Sequence, residues 1–125
     1  MKTILVIDED KMMRENTTEI LELSHYRVIS EGNYMKGLEL ARDKHPDMII
    51  CDNLIPKMQG VELLKKVRHT AGLDKIPFIL ITAPGENPDK NNGTNDGASE
   101  YLDKPFEGEE LLRVVAKVLQ EENHY

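Results

Sequence analysis

The sequence is poor in cysteine, in long apolar runs and in positive charge, and each shortage excludes a class of protein. One cysteine, Cys51, excludes an intramolecular disulfide and is typical of a reducing compartment, so we expect a cytoplasmic protein. Four scattered histidines and one cysteine form no zinc-binding pattern. The longest apolar runs, such as residues 4–7, have four members. A membrane helix needs about 20 apolar residues and a secretory signal about 7–15, so neither is expected.

The charge balance limits the partners that this chain can bind. Lysine and arginine total 16 against 23 aspartate and glutamate residues, which gives a net charge of −7. Nucleic-acid binding relies on basic residues that contact phosphates, and adhesion to an anionic membrane has the same requirement. We therefore expect neither partner. A length of 125 residues suits one compact domain, so we expect residues 1–125 to form a single domain.

Short apolar segments alternate with amphipathic ones along most of the chain. Five segments read as strands, and between or after them lie patterns with apolar residues at helical spacing. The predicted strands are residues 3–7, 27–30, 48–51, 78–81 and 100–102, and the predicted helices include residues 11–23, a segment that stops near His45, one around Leu64 and a last one around Val115. Such alternation predicts an α/β fold, a parallel sheet with helices on both faces.

Residues 84–97 interrupt this pattern. The segment has no apolar residue and contains two prolines, three glycines and four asparagines. The α/β pattern calls for a helix here, but these residue types are poor in helix interiors. We therefore expect the fourth helix of the fold to be short or irregular.

Chemically active side chains follow several of the predicted strands. Asp8 and Glu9 come after the first strand and Asp52 after the third, while Thr82 follows the fourth and Lys104 the fifth. Sites in α/β sheets form at the carboxyl ends of the strands, so these side chains should share one edge. Clustered carboxylates require a cation, and oxygen ligands favour Mg²⁺ or Mn²⁺. Asp52 has the central position and is the candidate nucleophile for a phosphoryl group.

Each of these residues, taken singly, has a plainer interpretation. An acid at a strand end is commonly a solvated loop residue or a helix cap, and Asp10 is expected to cap the first helix rather than to bind metal. Lys104 alone would be a surface lysine, and Thr82 alone would bond the backbone. Cys51 points away from Asp52 by the two-residue period of a strand and is expected to be an inert core thiol. Co-location of the set is what favours a site.

Five motifs in order resemble the receiver domain of two-component response regulators, and the resemblance covers the whole chain. The acidic pair is Asp8-Glu9, and the segment from Asp52 to Gly60 (DNLIPKMQG) matches the region around the phosphoacceptor. Thr82-Ala83 matches the hydroxyl residue with its small neighbour. The segment from Tyr101 to Phe106 (YLDKPF) matches the switch aromatic and the lysine.

The resemblance implies a flavodoxin-like sheet of five strands in the order 2-1-3-4-5 and a phosphorylation-dependent signalling switch rather than an enzyme. Asp52 would accept a phosphoryl group from a sensor histidine kinase or a phosphotransfer protein. Mg²⁺ would lie among Asp8, Glu9, Asp52 and the main-chain carbonyl of Leu54. Thr82 and Lys104 would contact the phosphoryl oxygens, and Tyr101 would move inward with Thr82. The downstream partner, and whether the domain is free-standing or part of a longer regulator, stay open.

Departures from the family pattern keep two alternatives open. Glu9 stands where aspartate is commoner, and residues 84–97 are unusually polar, which would suit a pseudo-receiver that binds partners without phosphorylation. Asp8-Glu9-Asp10 also imitates the D-x-D motif of haloacid dehalogenase-type phosphatases, although Lys11-Met12 replaces the expected Gly-Thr. Leu54 and Pro84 are apolar and cannot orient an attacking water, so self-dephosphorylation should be slow.

Overall fold

A computed structural model describes residues 1–53, 59–84 and 97–120. Within those residues, five strands and four helices follow one another along the chain. The strands are β1 (Thr3–Ile7), β2 (Arg27–Glu31), β3 (Met48–Asp52), β4 (Phe78–Thr82) and β5 (Glu100–Asp103), and the helices are α1 (Lys11–Leu23), α2 (Tyr34–Lys44), α3 (Gln59–Arg68) and α4 (Gly108–Leu119). The predicted alternation is confirmed, and four of the strands extend one residue beyond their predicted ends. The expected fourth helix falls within 84–97, and residues 85–96 lie outside the described ranges.

The strands form one parallel sheet in the order β2-β1-β3-β4-β5, which confirms the flavodoxin-like topology. Residues on alternate positions of each strand point to opposite faces, so two apolar layers form. One layer packs α2 and α3 against the sheet, and it includes Leu5, Ile49 and the thiol of Cys51. The other packs α1 and α4 against the sheet through Val6 and Ile50. The central strands are therefore buried on both faces, which explains their continuous apolar sequences.

Local signals set the ends of the first two helices. Asp10 caps α1, because its carboxylate accepts hydrogen bonds from the amides of Met12 and Met13 at 2.9 and 3.2 Å. The predicted capping role of Asp10 is therefore confirmed. Helix α2 ends at Lys44, and His45 adopts a left-handed conformation directly before Pro46. Proline disfavours helix in the residue before it, so this stop follows from the sequence.

Candidate functional site

Parallel pairing brings four of the expected side chains to one edge of the sheet. Asp8 follows β1, Asp52 ends β3, Thr82 ends β4 and Lys104 follows β5. The strands β1, β3, β4 and β5 are consecutive neighbours, with Thr82 paired opposite Asp103 in the last register. The amide of Lys104 donates to the carbonyl of Thr82 at 2.8 Å, which continues the ladder past the strand end. The four residues therefore share one edge, as the sequence predicts.

The centre of this edge is a buried carboxylate beside an ammonium group. Asp52 is 2% exposed, and Lys104 Nζ lies 2.5 Å from its Oδ1 atom. The contact is a buried ion pair, and no second donor among the described residues reaches Oδ1. A buried carboxylate is costly unless a charge or a ligand compensates it. Lys104 supplies such a charge to Asp52.

Asp8 lies next to this pair and carries a second buried carboxyl group. It is 4% exposed, and its Oδ1 accepts a hydrogen bond from the amide of Asp10 at 2.9 Å. Burial and then the charge of Asp52 raise the pKa of Asp8 from its ordinary 3.8 to about 6, against the lowering effects of that amide and of Lys104. Lys104 therefore lowers the pKa of Asp8 but does not offset the effects of burial and of the Asp52 charge.

This donor set fits a hard divalent cation. Asp8 and Asp52 offer buried carboxylate oxygens, and such ligands suit Mg²⁺. Glu9 is exposed and lines a cavity with Asn33 and Gln59, and its expected part in the metal site stays a prediction. Across residues 1–53, 59–84 and 97–120, no three acidic, histidine or cysteine side chains are grouped to hold a metal. Leu54, whose carbonyl was expected as a ligand, lies outside the described residues.

The hydroxyl expected to contact phosphate is engaged elsewhere in this structure. Thr82 is fully buried, and its Oγ1 donates to Oδ1 of Asp103 at 3.0 Å. Tyr101 is half-buried and packs against the apolar layer beneath α2 and α3. Asp103 is exposed and was not among the residues singled out in the sequence. Only the parallel register, which sets Thr82 opposite Asp103, reveals the contact.

Two helices hold the main chain of the acids, and neither contact was foreseen from the sequence. The guanidinium of Arg14 in α1 donates to the carbonyl of Asp8 at 2.7 Å. The hydroxyl of Tyr34 in α2 donates to the carbonyl of Asp52 at 2.8 Å, and this bond is buried. Tyr34 and Asp52 are 18 positions apart in the sequence, so no local sequence pattern predicts this bond.

Comparison with known proteins decides the family. The family model of the response regulator receiver domain matches residues 4–116. The chain belongs to the response regulator receiver family. Receiver domains act in general as phosphorylation-dependent switches in two-component signalling, usually without enzymatic activity of their own, and interact with histidine kinases or phosphotransfer proteins. They generally bind Mg²⁺ at the acidic pocket.

Curated relatives and solved structures agree with this assignment. The chain is 33% identical over 119 residues to the phosphate regulon transcriptional regulatory protein PhoB of Pseudomonas aeruginosa, covering 95% of this chain and 52% of that protein. It is 35% identical to the DNA-binding dual master transcriptional regulator RpaA of Synechocystis, covering 96% and 50%. The chain therefore spans about half the length of these curated relatives.

Solved receivers have the same fold over nearly their whole length. A putative response regulator from Chloroflexus aurantiacus superimposes with a TM-score of 0.86 at 32% identity, covering 96% of this chain and 98% of that one. The chemotaxis response regulator CheY4 of Vibrio cholerae gives 0.83 at 28% identity, covering 94% and 98%. Within the described part of this receiver, no helix is long and apolar enough to span a bilayer.

Proposed function

We propose that this receiver accepts a phosphoryl group on Asp52 from a phosphohistidine of a sensor histidine kinase or a phosphotransfer protein. The observation that supports this most is the state of the Asp52 carboxylate. It is buried at the central strand end, and the ammonium group of Lys104 lies beside it. A carboxylate in this position can act as a nucleophile toward phosphorus while the ammonium offsets the charge of the incoming group.

The proposed transfer balances without any further reactant. A carboxylate oxygen of Asp52 attacks phosphorus, and the bond between phosphorus and the imidazole nitrogen of the donor breaks. The imidazole leaves with the electron pair and takes a proton from solvent. Lys104 offsets the negative charge that arrives with the phosphoryl oxygens, because its Nζ already lies at the carboxylate.

Mg²⁺, or Mn²⁺ in its place, is the proposed cofactor. Asp8 and Asp52 would hold it, and the family resemblance adds Glu9 and the carbonyl of Leu54. A bound divalent cation supplies positive charge that stabilises the phosphoryl oxygens during transfer. The raised pKa of Asp8 is consistent with this assignment, because burial first and the charge of Asp52 second disfavour a second carboxylate at this edge without a bound cation.

The proposed switch begins at Thr82. Its hydroxyl has one hydrogen to donate, and that hydrogen bonds Asp103 in this structure. To donate to a phosphoryl oxygen on Asp52, the hydroxyl must leave Asp103. Tyr101, two residues before Asp103 on the same strand, would then move inward as Thr82 moves. The response therefore passes from the phosphoryl group to the exposed side of β5.

We propose that residues 1–125 form a single receiver domain in the cytoplasm, with self-dephosphorylation that is slow. Pro84 has no side-chain group to hold a water in line with the acyl phosphate, and Leu54 has none either. The net charge of −7 supports an output other than direct nucleic-acid binding by this domain. The downstream partner receives the signal through the switch residues.

Incubation with acetyl phosphate and Mg²⁺, followed by intact mass measurement, tests this function. We expect one added phosphoryl group per chain in the wild type and none in Asp52→Asn, with loss of labelling when Mg²⁺ is chelated. Equal labelling of Asp52→Asn would refute the site. No labelling of a folded wild type would favour the pseudo-receiver, and repeated turnover of phosphate esters would favour the phosphatase.

A further inference from the structure

The main-chain carbonyl of Asp52 is enclosed by neighbours at the end of β3. Tyr34 donates its hydroxyl to this oxygen at 2.8 Å in a fully buried bond. The thiol of Cys51 is a second and weaker donor at 3.5 Å. On another side lies Gly60 of α3, where an added Cβ would come within 2.9 Å of the same oxygen. The carbonyl therefore has little freedom to rotate.

Tyr34 is itself held firmly in place. It is the first residue of α2, its side chain is 8% exposed, and it belongs to the apolar layer beneath that helix. The helix is capped by Asn33, whose side chain accepts from the amide of Lys36 at 2.9 Å. A Cβ at Gly37 would come within 2.5 Å of Ile7, so α2 lies very close to β1. The packing of α2 therefore fixes the position of the Tyr34 hydroxyl.

The hydroxyl also keeps its proton. Burial, and then the negative charges that Cys51 and the site acids can carry, raise the pKa of Tyr34 well above its ordinary value of 10.0. Tyr34 is therefore protonated and a hydrogen-bond donor at neutral pH.

The peptide unit after Asp52 is fixed at both of its polar groups. Its carbonyl accepts from Tyr34, and its amide, that of Asn53, donates to the carbonyl of Ile81 at 2.8 Å. With this plane fixed and Asp52 paired to β4, the direction of its side chain is set, and the carboxylate is directed to Lys104. Holding a nucleophile in place can account for a large share of the reduction in the barrier to transfer.

We propose that Tyr34 is a positioning residue for phosphoryl transfer to Asp52, acting through the main-chain carbonyl of the acceptor. The inference rests on the proposed function. It adds α2 to the elements that determine the reactivity of the site, although Tyr34 does not touch the reacting atoms. Loss of the hydroxyl leaves the Asp52 carbonyl with the Cys51 thiol as its one remaining side-chain donor within the described residues.

The test compares labelling rates with acetyl phosphate in excess Mg²⁺ across three proteins. Tyr34→Phe removes one oxygen atom and keeps the buried ring. We expect its maximal rate to fall about five- to tenfold, because the carboxylate of Asp52 is then held less firmly in the direction of attack. The half-saturating concentration of acetyl phosphate should change less than about twofold, because Tyr34 does not contact the phosphodonor and its loss removes no ground-state binding.

Ser99→Ala is the matched control. Its hydroxyl accepts from the amide of Phe78 at 3.0 Å, at the opposite end of β4 from the site. The variant loses one hydrogen bond of the sheet but should label at the wild-type rate. Rates are normalised to the folded fraction measured by circular dichroism, so a partly unfolded variant still gives an answer.

The outcomes separate this inference from the function on which it rests. A normalised Tyr34→Phe rate equal to wild type, or an equal fall in Ser99→Ala, overturns the positioning role and leaves labelling of Asp52 intact. Failure of the folded wild type to label overturns the proposed function and the positioning role together. A slowed Tyr34→Phe beside a normal Ser99→Ala supports both.

Discussion

The two halves of the site edge are held in different ways. The acid half is formed by Asp8 and Asp52. Arg14 of α1 and Tyr34 of α2 donate hydrogen bonds to the main-chain carbonyls of these acids, and the carboxylates of the acids take no part in those two bonds. In the hydroxyl half, formed by Thr82, Tyr101 and Lys104, the reactive hydroxyl of Thr82 is held by the exposed carboxylate of Asp103. The half that we propose to accept a phosphoryl group is thus fixed through its backbone, and the half that we propose to respond is held by a side-chain bond that can be exchanged.

The energetic difference between these attachments follows from burial. A buried carbonyl that loses its strongest donor is left with a weak one or none, at a cost of up to about 1–3 kcal/mol. An exposed carboxylate that loses the Thr82 hydroxyl can bond water instead, so little is lost. A switch needs both kinds of attachment, because the reacting atom must stay in place while another group moves. Four experiments test this contrast.

Removal of Lys104 should have the largest effect. Its ammonium is the cation found at Asp52, so Lys104→Ala should abolish the change at Tyr101 that follows phosphorylation. Loss of this charge should also raise the pKa of Asp8 further above 6, because Lys104 lowers that pKa in the wild type. Amide NMR of Tyr101 and carboxyl NMR of Asp8 would measure the two effects.

Lys117→Ala is the control for that experiment. Lys117 pairs with Glu100 of β5 at 2.9 Å, but on the surface and away from the site. It should switch normally. If Lys104→Ala also switched normally, Lys104 would have no part in the response and the hydroxyl half would be wrongly defined.

Asp103→Ala should have an intermediate effect. It should favour the switched state, whereas Lys104→Ala should prevent it. Without the carboxylate, Thr82 has no competing acceptor at this position, so phosphorylated protein should occupy the switched state about three- to tenfold more often. Asp103→Asn keeps an acceptor oxygen and should fall between the variant and the wild type. The populations are read from Tyr101 resonances at equal phosphorylation.

Glu107→Ala, which removes a neighbouring exposed acid, controls for the change in charge near Lys104. Competition by Asp103 for the Thr82 hydroxyl would be refuted if Asp103→Ala and Glu107→Ala shifted the population of the switched state equally, or if neither variant shifted it.

Asp8→Asn should have the smallest effect and a defined pH dependence. The pKa of Asp8 in the folded protein, about 6, lies above its ordinary 3.8, so the folded state binds the proton more tightly than the unfolded state. Wild-type stability should therefore fall as the pH rises from about 4 to about 6, through this group. Asparagine removes the charge and can still accept from the amide of Asp10. In metal-free buffer at pH 7 the variant should be more stable by about 1–2 kcal/mol.

Urea denaturation at pH 7 and at pH 4 would measure this difference, which should disappear at the lower pH. Added Mg²⁺ should raise the stability of the wild type, by about 1.4 kcal/mol at ten times its dissociation constant, and that of Asp8→Asn much less. If Asp8→Asn were less stable than the wild type at pH 7, the charged Asp8 carboxylate would not be destabilising in the folded protein, and the account of this edge would be contradicted.

The sequence predicted the fold and the site edge because both depend on local patterns. Continuous apolar runs marked the strands, their alternation with helices implied parallel pairing, and parallel pairing brings the residues after each strand to one edge. Asp8, Asp52, Thr82 and Lys104 were found in this way. Glu9, one residue further along the loop after β1, is exposed and lines a cavity with Asn33, and its expected part as a metal ligand stays a prediction.

The contacts that distinguish the two halves could not be predicted, because they depend on long-range geometry. Tyr34 lies at helical spacing with other apolar residues, and this pattern predicts a buried ring. The pattern does not show whether the hydroxyl bonds another strand or helix. Arg14 looks like a surface residue of an amphipathic helix. Asp103 gains its role from standing opposite Thr82 in the register, and the register is set by packing of the whole sheet.

A comparison of amide and side-chain NMR shifts before and after phosphorylation of Asp52 tests the contrast between the halves most directly. We predict large changes at Thr82 and from Tyr101 to Asp103, as the hydroxyl exchanges its acceptor. The hydroxyl proton of Tyr34 and the guanidinium of Arg14 should keep slow exchange and nearly unchanged shifts, because their carbonyl partners stay in place. Loss of the Tyr34 bond on phosphorylation, with Thr82 still bonded to Asp103, would contradict the account.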